Sequence, residues 1–472
     1  MLKSISESFE SSSIHGISNI FKNKYYILKF IWFILFILSL LCCSWTIKRS
    51  VTDYLSFDVV TLFKVKYEKQ LTFPSVGICN LDIFTTDYSH KSIANITKNP
   101  PQPIPKNLKY WVKLMSNYDD LNYDKKLFGF NLNEFLLNCM FNGNNCDLIE
   151  DFEHYYDINY GNCFRFNSGR GMNGLSSNKK ITYKPGQLNG LHLEFFVGDP
   201  SQNTNFLSFD TGFIIFIDDY GLDSTSIEGI KLAGGYSTNI ILNKYTISQI
   251  PKPYSECTSD LTTIDSYDSE CYKKTFTFNK KSTYSFMDCY SMCFQKYLGK
   301  FCLCQNAKPY FDDMRKCGLN KQIFNQDNEC QTNLWFKFSN STQFLEECDC
   351  PLQCETSNYM FMTSFSKFPS YFYARRLIES NNLIKSKFSP KNITYQDLAN
   401  SLISVDIFFE DLKTTSIDSN VKMSIVDLIT NIGGAMGLFL GVSFLSLVEL
   451  IEIPLKCLLV MFENKSKKTY PR

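Results

Sequence analysis

The chain has 472 residues, enough for several domains or one large one, and its formal net charge of +1 offers no global attraction for nucleic acid. Aromatic residues make up 15%, and 18 cysteines in a chain of this size predict an oxidising compartment. The four histidines, His15, His90, His154 and His192, do not pair at metal-ligand spacing, so no zinc site built on them is expected.

Residues 1–24 are polar, with Lys3, Lys22 and Lys24, and contain Ser-Ile-His15-Gly16. Residues 30–47 form 18 consecutive uncharged, mostly apolar positions, and predict a membrane helix over 25–48. The competing reading is a signal peptide. It fails because the run exceeds a signal core and Lys48-Arg49 follows it instead of a small-x-small cleavage site. Cys42 and Cys43 lie inside this span and are expected to be unpaired.

Residues 49–422 hold 15 of the 18 cysteines and are expected to face outward. Asn95, Asn340 and Asn392 each open a glycosylation sequon. Residues 99–106 are a Pro-rich loop. Residues 131–138 and 286–298 have helical spacing, while 190–197, 211–217 and 404–410 read as strands. Cys289 and Cys293 stand one helical turn apart, followed by Cys302, Cys304, Cys317, Cys330, Cys348, Cys350 and Cys354. This density suggests a disulfide-stapled helical lobe, with zinc binding as the alternative, and the spacing alone does not set the connectivity.

Residues 428–448 carry no formal charge over 21 positions, which spans roughly 30 Å as a helix. Gly433, Gly437 and Gly441 recur every four residues, and Asn431, Ser443 and Ser446 add polar groups. Small residues at this spacing suit close helix packing in lipid, so an anchor dimer and a pore lining are both open. The tail carries Lys456, Lys465, Lys467, Lys468 and Arg472, which predicts that both termini are cytosolic; Lys48-Arg49 weakly opposes this.

Taken together, these stretches resemble the degenerin / epithelial sodium channel / acid-sensing channel family over nearly the whole chain. Ser-Ile-His15-Gly16 resembles its His-Gly gating motif. Phe73-Pro74-Ser-Val-Gly-Ile-Cys79-Asn80 resembles the signature after its first helix, and Gly161-Asn-Cys163-Phe-Arg-Phe166-Asn167 resembles a second. Cys348-Asp-Cys350-Pro-Leu-Gln-Cys354 resembles its thumb motif. Gly-Gly-x-x-Gly-Leu-Phe-Leu-Gly441-x-Ser443 resembles its second membrane helix.

The resemblance implies a membrane α+β protein: two transmembrane helices flank a large, hand-like, disulfide-rich ectodomain in a trimer. The expected layout is a cytosolic N-terminus at 1–24, the first helix at 25–48 and an extracellular domain at 49–422. A thumb lies near 257–360, the second helix and pore at 423–460 and a cytosolic tail at 461–472. Implied disulfides are Cys79–Cys163, Cys139–Cys146, Cys257–Cys354, Cys289–Cys350, Cys293–Cys348, Cys302–Cys330 and Cys304–Cys317, with Cys271 left over. The selectivity filter would be Gly441, Val442 and Ser443, where carbonyl oxygens replace a cation's water shell. Thr430 and Gly437 match the family's gate and blocker positions. Glu449 and Glu452 lie towards the cytosol, and Glu452 would share the Gly441 face if the helix ran on unbroken.

Phe57 and Tyr254 match the family's wrist-coupling aromatic pair. Val59 stands where acid-sensing relatives carry His, which removes one titratable group. Asp406, Glu410 and Asp411 are either an acid-sensing cluster or a solvated strand end, and the second is the ordinary reading. The implied function is a sodium-preferring cation channel in the plasma membrane. Its partners would be the bilayer, sodium ions, related subunits in a homo- or heterotrimer and an extracellular peptide. Alternatives are an acid- or mechanically gated member, or a non-conducting cysteine-rich receptor. No catalytic triad, phosphate loop or cofactor motif is present in the sequence, so neither enzyme activity nor a cofactor is expected.

Overall fold

The computed structural model describes residues 20, 23–89, 91, 125–157, 159–198, 210–221, 229–279, 284–305, 311, 314–317, 321–388 and 394–441. His15, Gly16, Asn95, Asn392, Val442, Ser443, Glu449 and Glu452 lie outside the described residues. The chain forms two compact units. One comprises Met1–Thr61, Pro253–Ser255 and Ser419–Arg472, and the other Leu62–Lys252 and Glu256–Asp418.

In chain order the elements begin with α1 (Tyr26–Leu55), β1 (Val59–Tyr67), β2 (Leu71–Thr72), β3 (Ser75–Asn80), α2 (Leu132–Phe135), β4 (Leu136–Phe141), β5 (Asn144–Asn145), β6 (Phe152–Asp157) and β7 (Gly161–Phe166). Then come β8 (Ile181–Thr182), β9 (Leu191–Phe196), β10 (Phe213–Asp218), β11 (Ile230–Leu232), β12 (Tyr236–Ser248), β13 (Cys257–Thr258), α3 (Glu270–Asn279), α4 (Phe286–Cys302), α5 (Lys321–Ser339) and α6 (Thr342–Cys348). The last are β14 (Leu352–Gln353), β15 (Glu355–Lys367), α7 (Tyr371–Ser380), α8 (Asn382–Phe388), α9 (Tyr395–Asn400), β16 (Leu402–Val421) and α10 (Ile425–Leu440).

Among the described residues, α1 is the one helix long and apolar enough to cross a membrane. It runs on past Lys48 to Leu55, with Arg49 and Asp53 paired at i,i+4 across 3.9 Å. It ends where Phe57 turns into the left-handed region at φ 52°.

The second unit is built on two sheets. A seven-stranded sheet has the order β15-β12-β16-β9-β4-β5, with β1 also paired to β16, and a five-stranded sheet has the order β11-β10-β3-β7-β6. They share a core rich in phenylalanine: Phe73, Phe135, Phe141, Phe152, Phe164, Phe166, Phe195, Phe213 and Phe409 are all buried. Phe195 stacks on Phe213 at 4.6 Å between centroids, and Phe73 meets Phe141, Phe166 and Phe409 edge-on. Such pairs add to the burial of large apolar area. Gly190 lets two backbones meet here, because a Cβ on it would stand 2.2 Å from the Ile407 carbonyl oxygen.

One helix expectation and one strand expectation need correction. Residues 131–138 are helical only through Phe135; Leu136 opens β4, which pairs antiparallel with β9. The Asn131–Glu134 capping box starts a single turn, and sheet pairing then takes the backbone. The brief strand expected at 404–410 is only part of β16, a 20-residue strand. The alternation of Val405, Ile407 and Phe409 into the core is local, but its continuation to Val421 depends on neighbours elsewhere in the chain.

A second buried core, stapled by disulfides, gathers α3, α4, α5 and α6 around Tyr272, Tyr284, Met292, Leu298, Leu334 and Phe338. Its axis is α4, which buries Cys289, Met292 and Cys293 at i, i+3, i+4 spacing, buries Leu298 further along, and stops at Leu303, a left-handed C-cap.

Candidate functional site

Three places in the structure bring candidate residues together. The first is α10. Ser424 caps it: the Ser424 hydroxyl accepts from the Asp427 amide at 3.2 Å, and the Asp427 carboxylate accepts from the Ser424 amide at 2.9 Å. Gly433 has open space around it, with no atom within 4 Å of a built Cβ. Thr430 turns its hydroxyl back onto the Val426 carbonyl at 2.8 Å. The helix lies against α1 within the first unit.

The described part of this helix does not continue unbroken. It ends at Leu440, and Gly441 sits at φ 64° with its amide donating to the Gly437 carbonyl at 3.1 Å. Whether Glu452 shares the Gly441 face, as an unbroken helix would require, lies outside the described residues. A glycine adopts the left-handed cap at no steric cost, and the last carbonyls of a helix have no intrahelical partner.

The second place joins the C-terminal end of α1 and the N-terminal end of α10 in the first unit. The ring of Phe57 meets that of Tyr254 edge-on at 5.5 Å. Beside it, the Lys422 ammonium lies 2.8 Å from the Asp58 carboxylate, and the Lys422 amide donates to the Asp58 carbonyl at 3.1 Å. Lys422, and to a smaller extent Ser56, holds the Asp58 carboxyl below the usual carboxylate range.

The third place is in the sheet of the second unit. His192 on β9 and Asp406 on β16 are directly opposed in the ladder, and His192 Nδ1 lies 2.8 Å from Asp406. Its Nε2 lies 3.4 Å from Glu194, two residues along the same face. Gln187 donates to Asp406 at 3.0 Å, and the Tyr373 hydroxyl of α7 donates to Glu194 at 2.9 Å. Both carboxylates are buried, so the histidine is held charged: hydrogen bonds to Asp406 and then Glu194 push it up to about 9 against a smaller desolvation effect.

Asp406 is therefore not part of a solvated strand end. Glu410 is exposed, accepting from Asn243 at 2.7 Å, and Asp411 is half-buried, so the three carboxylates do not form one group. The His192 cluster was missed because its signal is split. His192 and Glu194 share a face by alternation, but Asp406 lies more than 200 positions away and only strand pairing brings it there.

Seven disulfides link Cys79 with Cys163, Cys139 with Cys146, Cys257 with Cys354, Cys289 with Cys350, Cys293 with Cys348, Cys302 with Cys330 and Cys304 with Cys317. Cys271 is buried in the second core and belongs to none of them. Neither Cys42 nor Cys43 of α1 is in a disulfide. Asn340 is exposed at the turn between α5 and α6. Among the described residues no group of three His, Cys, Asp or Glu side chains could hold a metal ion.

An apolar helix leading into a disulfide-bonded β-rich unit, with a second glycine-rich helix behind it, defines a class of membrane protein. The chain belongs to the amiloride-sensitive sodium channel family, whose profile matches residues 8–453. It is 24% identical to the FMRFamide-activated amiloride-sensitive sodium channel of Cornu aspersum, over 99% of this chain and 85% of that one. It is also 26% identical to the bile acid-sensitive ion channel of Rattus norvegicus, over 94% of this chain and 85% of the relative. Acid-sensing ion channel 1 of Gallus gallus is 27% identical, over 94% of this chain and 82% of the relative. These relatives are ion channels, not enzymes.

Proposed function

We propose that this chain is a subunit of a sodium-preferring cation channel of the plasma membrane, opened by an extracellular peptide or open without ligand. Both termini are cytosolic in this reading, α10 is the outer part of a second membrane helix, and three subunits surround the pore. The observation that carries it is the break at Gly441. A glycine in the left-handed region turns the chain at the first filter position, and three such turns brought together would offer a cation a ring of backbone oxygens. Gly441, Val442 and Ser443 form the filter, Thr430 the gate and Gly437 the blocker site, with Glu449 and Glu452 concentrating cations below.

Peptide gating is favoured over acid gating for two reasons. A relative matched over nearly the whole chain is FMRFamide-activated, and the position two residues after Phe57 is Val59, which does not titrate. Related subunits could complete a heterotrimer, and Asn95, Asn340 and Asn392 would carry glycans. The test is voltage clamp of cells expressing the full chain, screening amidated peptides, acid and stretch. The expected result is a cation current reduced by amiloride and enhanced by Thr430→Phe, with Ser443→Leu altering conduction while leaving assembly intact. Surface expression with no current from any Thr430 variant would refute the homomeric pore. Unchanged selectivity in Ser443→Leu would move the filter elsewhere.

A further inference from the structure

The adjoining ends of the two helices are tied by Asp58 and Lys422, where the pairing of β1 with β16 meets the helices. Phe57 breaks α1 by entering the left-handed region, a conformation that costs a residue other than glycine some strain. That turn sends the Phe57 ring to Tyr254 and leaves Asp58 facing Lys422. Lys422 is bound twice, through its ammonium to the Asp58 carboxylate at 2.8 Å and through its amide to the Asp58 carbonyl at 3.1 Å. Two residues later Ser424 caps α10, so displacement of α10 along or away from α1 must carry this pair with it or break it. The other charges nearby are Asp53, which adds to the field on Lys422, and Arg49, which is paired with Asp53.

We infer that Asp58 and Lys422 form a gating latch, an ion-paired crossbar that holds α1 and α10 in the arrangement of this structure. The inference rests on the proposal that α10 lines a pore. A contact made in one arrangement and lost in another shifts the equilibrium between them by its own free energy, whichever end of the channel the stimulus acts on. Both side chains are half exposed, so the latch is weak and screened by salt. It tunes the set point of opening and is not a lock.

The experiment is a double-mutant cycle on the full chain. Asp58→Lys, Lys422→Asp and the charge swap are recorded as single channels, using an amidated Phe-Met-Arg-Phe peptide as probe. Ligand-free openings in a Thr430→Phe background provide the second measurement. Each single reversal is expected to change the open-to-closed ratio about two- to fivefold in the same direction. The swap should return it to near the unaltered value, and raising external salt should act on the unaltered chain but not on a variant with both residues changed to Ala. Additive effects in a conducting chain, or a swap that fails to restore the ratio, overturn the latch alone. No current in any background, despite surface expression, overturns the pore reading and the gating role with it.

Discussion

His192→Gln is the most informative change in the second unit. In the unaltered protein one charged imidazole sits between two buried carboxylates, donating to Asp406 at 2.8 Å and facing Glu194 at 3.4 Å. The cluster is thus balanced to one net negative charge, with Gln187 and Tyr373 each supplying one more donor. Glutamine keeps some hydrogen bonding but removes the positive charge, leaving two buried carboxylates without the imidazolium between them. Breaking a buried ion pair on one side typically costs 3–5 kcal/mol. The imidazole here keeps an edge near solvent and each carboxylate retains a donor, so the lower end, about 3 kcal/mol, is expected.

Thermal unfolding of the detergent-solubilised protein should show this as a drop of roughly 3–6 °C. Changing Asp406 to Asn in the same chain should recover part of it, because one of the stranded charges is then gone. The pH dependence gives a second check. His192 titrates at about 9 in the folded protein against about 6.5 unfolded. Its contribution is therefore complete below about pH 6.5 and is lost as pH rises through about 9. The unaltered protein should lose stability across that window more steeply than His192→Gln. Equal stability and equal pH slopes in the two proteins would refute the ion-paired cluster.

Replacing Cys257 and Cys354 by Ser opens a loop of 97 residues and should lower stability by about 2–4 kcal/mol, read by denaturant unfolding; non-reducing peptide mapping should recover that pair in the unaltered protein. Gly190→Ala places a methyl group 2.2 Å from the Ile407 carbonyl and should cost about 1–3 kcal/mol, detectable as reduced yield and a lower melting temperature. Tyr254→Ala removes the edge-on partner of Phe57, worth about 1 kcal/mol. It should alter activation and decay of current while leaving the melting temperature of the disulfide-bonded unit unchanged.

How much was legible depended on whether the signal was local. The membrane helix was read from an unbroken apolar run, and helix α4 from cysteines spaced by one turn, because both patterns repeat within a few residues. The cysteine partners came through motif resemblance, since spacing alone leaves many connectivities open. The end of α2 at Phe135 was not legible: its residues suit helix or strand, and pairing with β9 decided. The stop at Gly441 was also ambiguous, because glycines at intervals of four serve equally as a packing face or as a cap.

By itself, the sequence determined that this chain crosses a membrane, stabilises a large domain with cysteines and belongs with the amiloride-sensitive sodium channels. Apolar length, cysteine count and ordered motifs are one-dimensional properties and need no folded context. Only the tertiary structure decided that His192 lies between Asp406 and Glu194, that Asp58 faces Lys422 and that β16 runs for 20 residues. Each of these depends on strand register or on a turn that brings distant residues within about 3 Å. Charge pairs between residues far apart in the chain are chosen by geometry of that kind, and no local pattern encodes it.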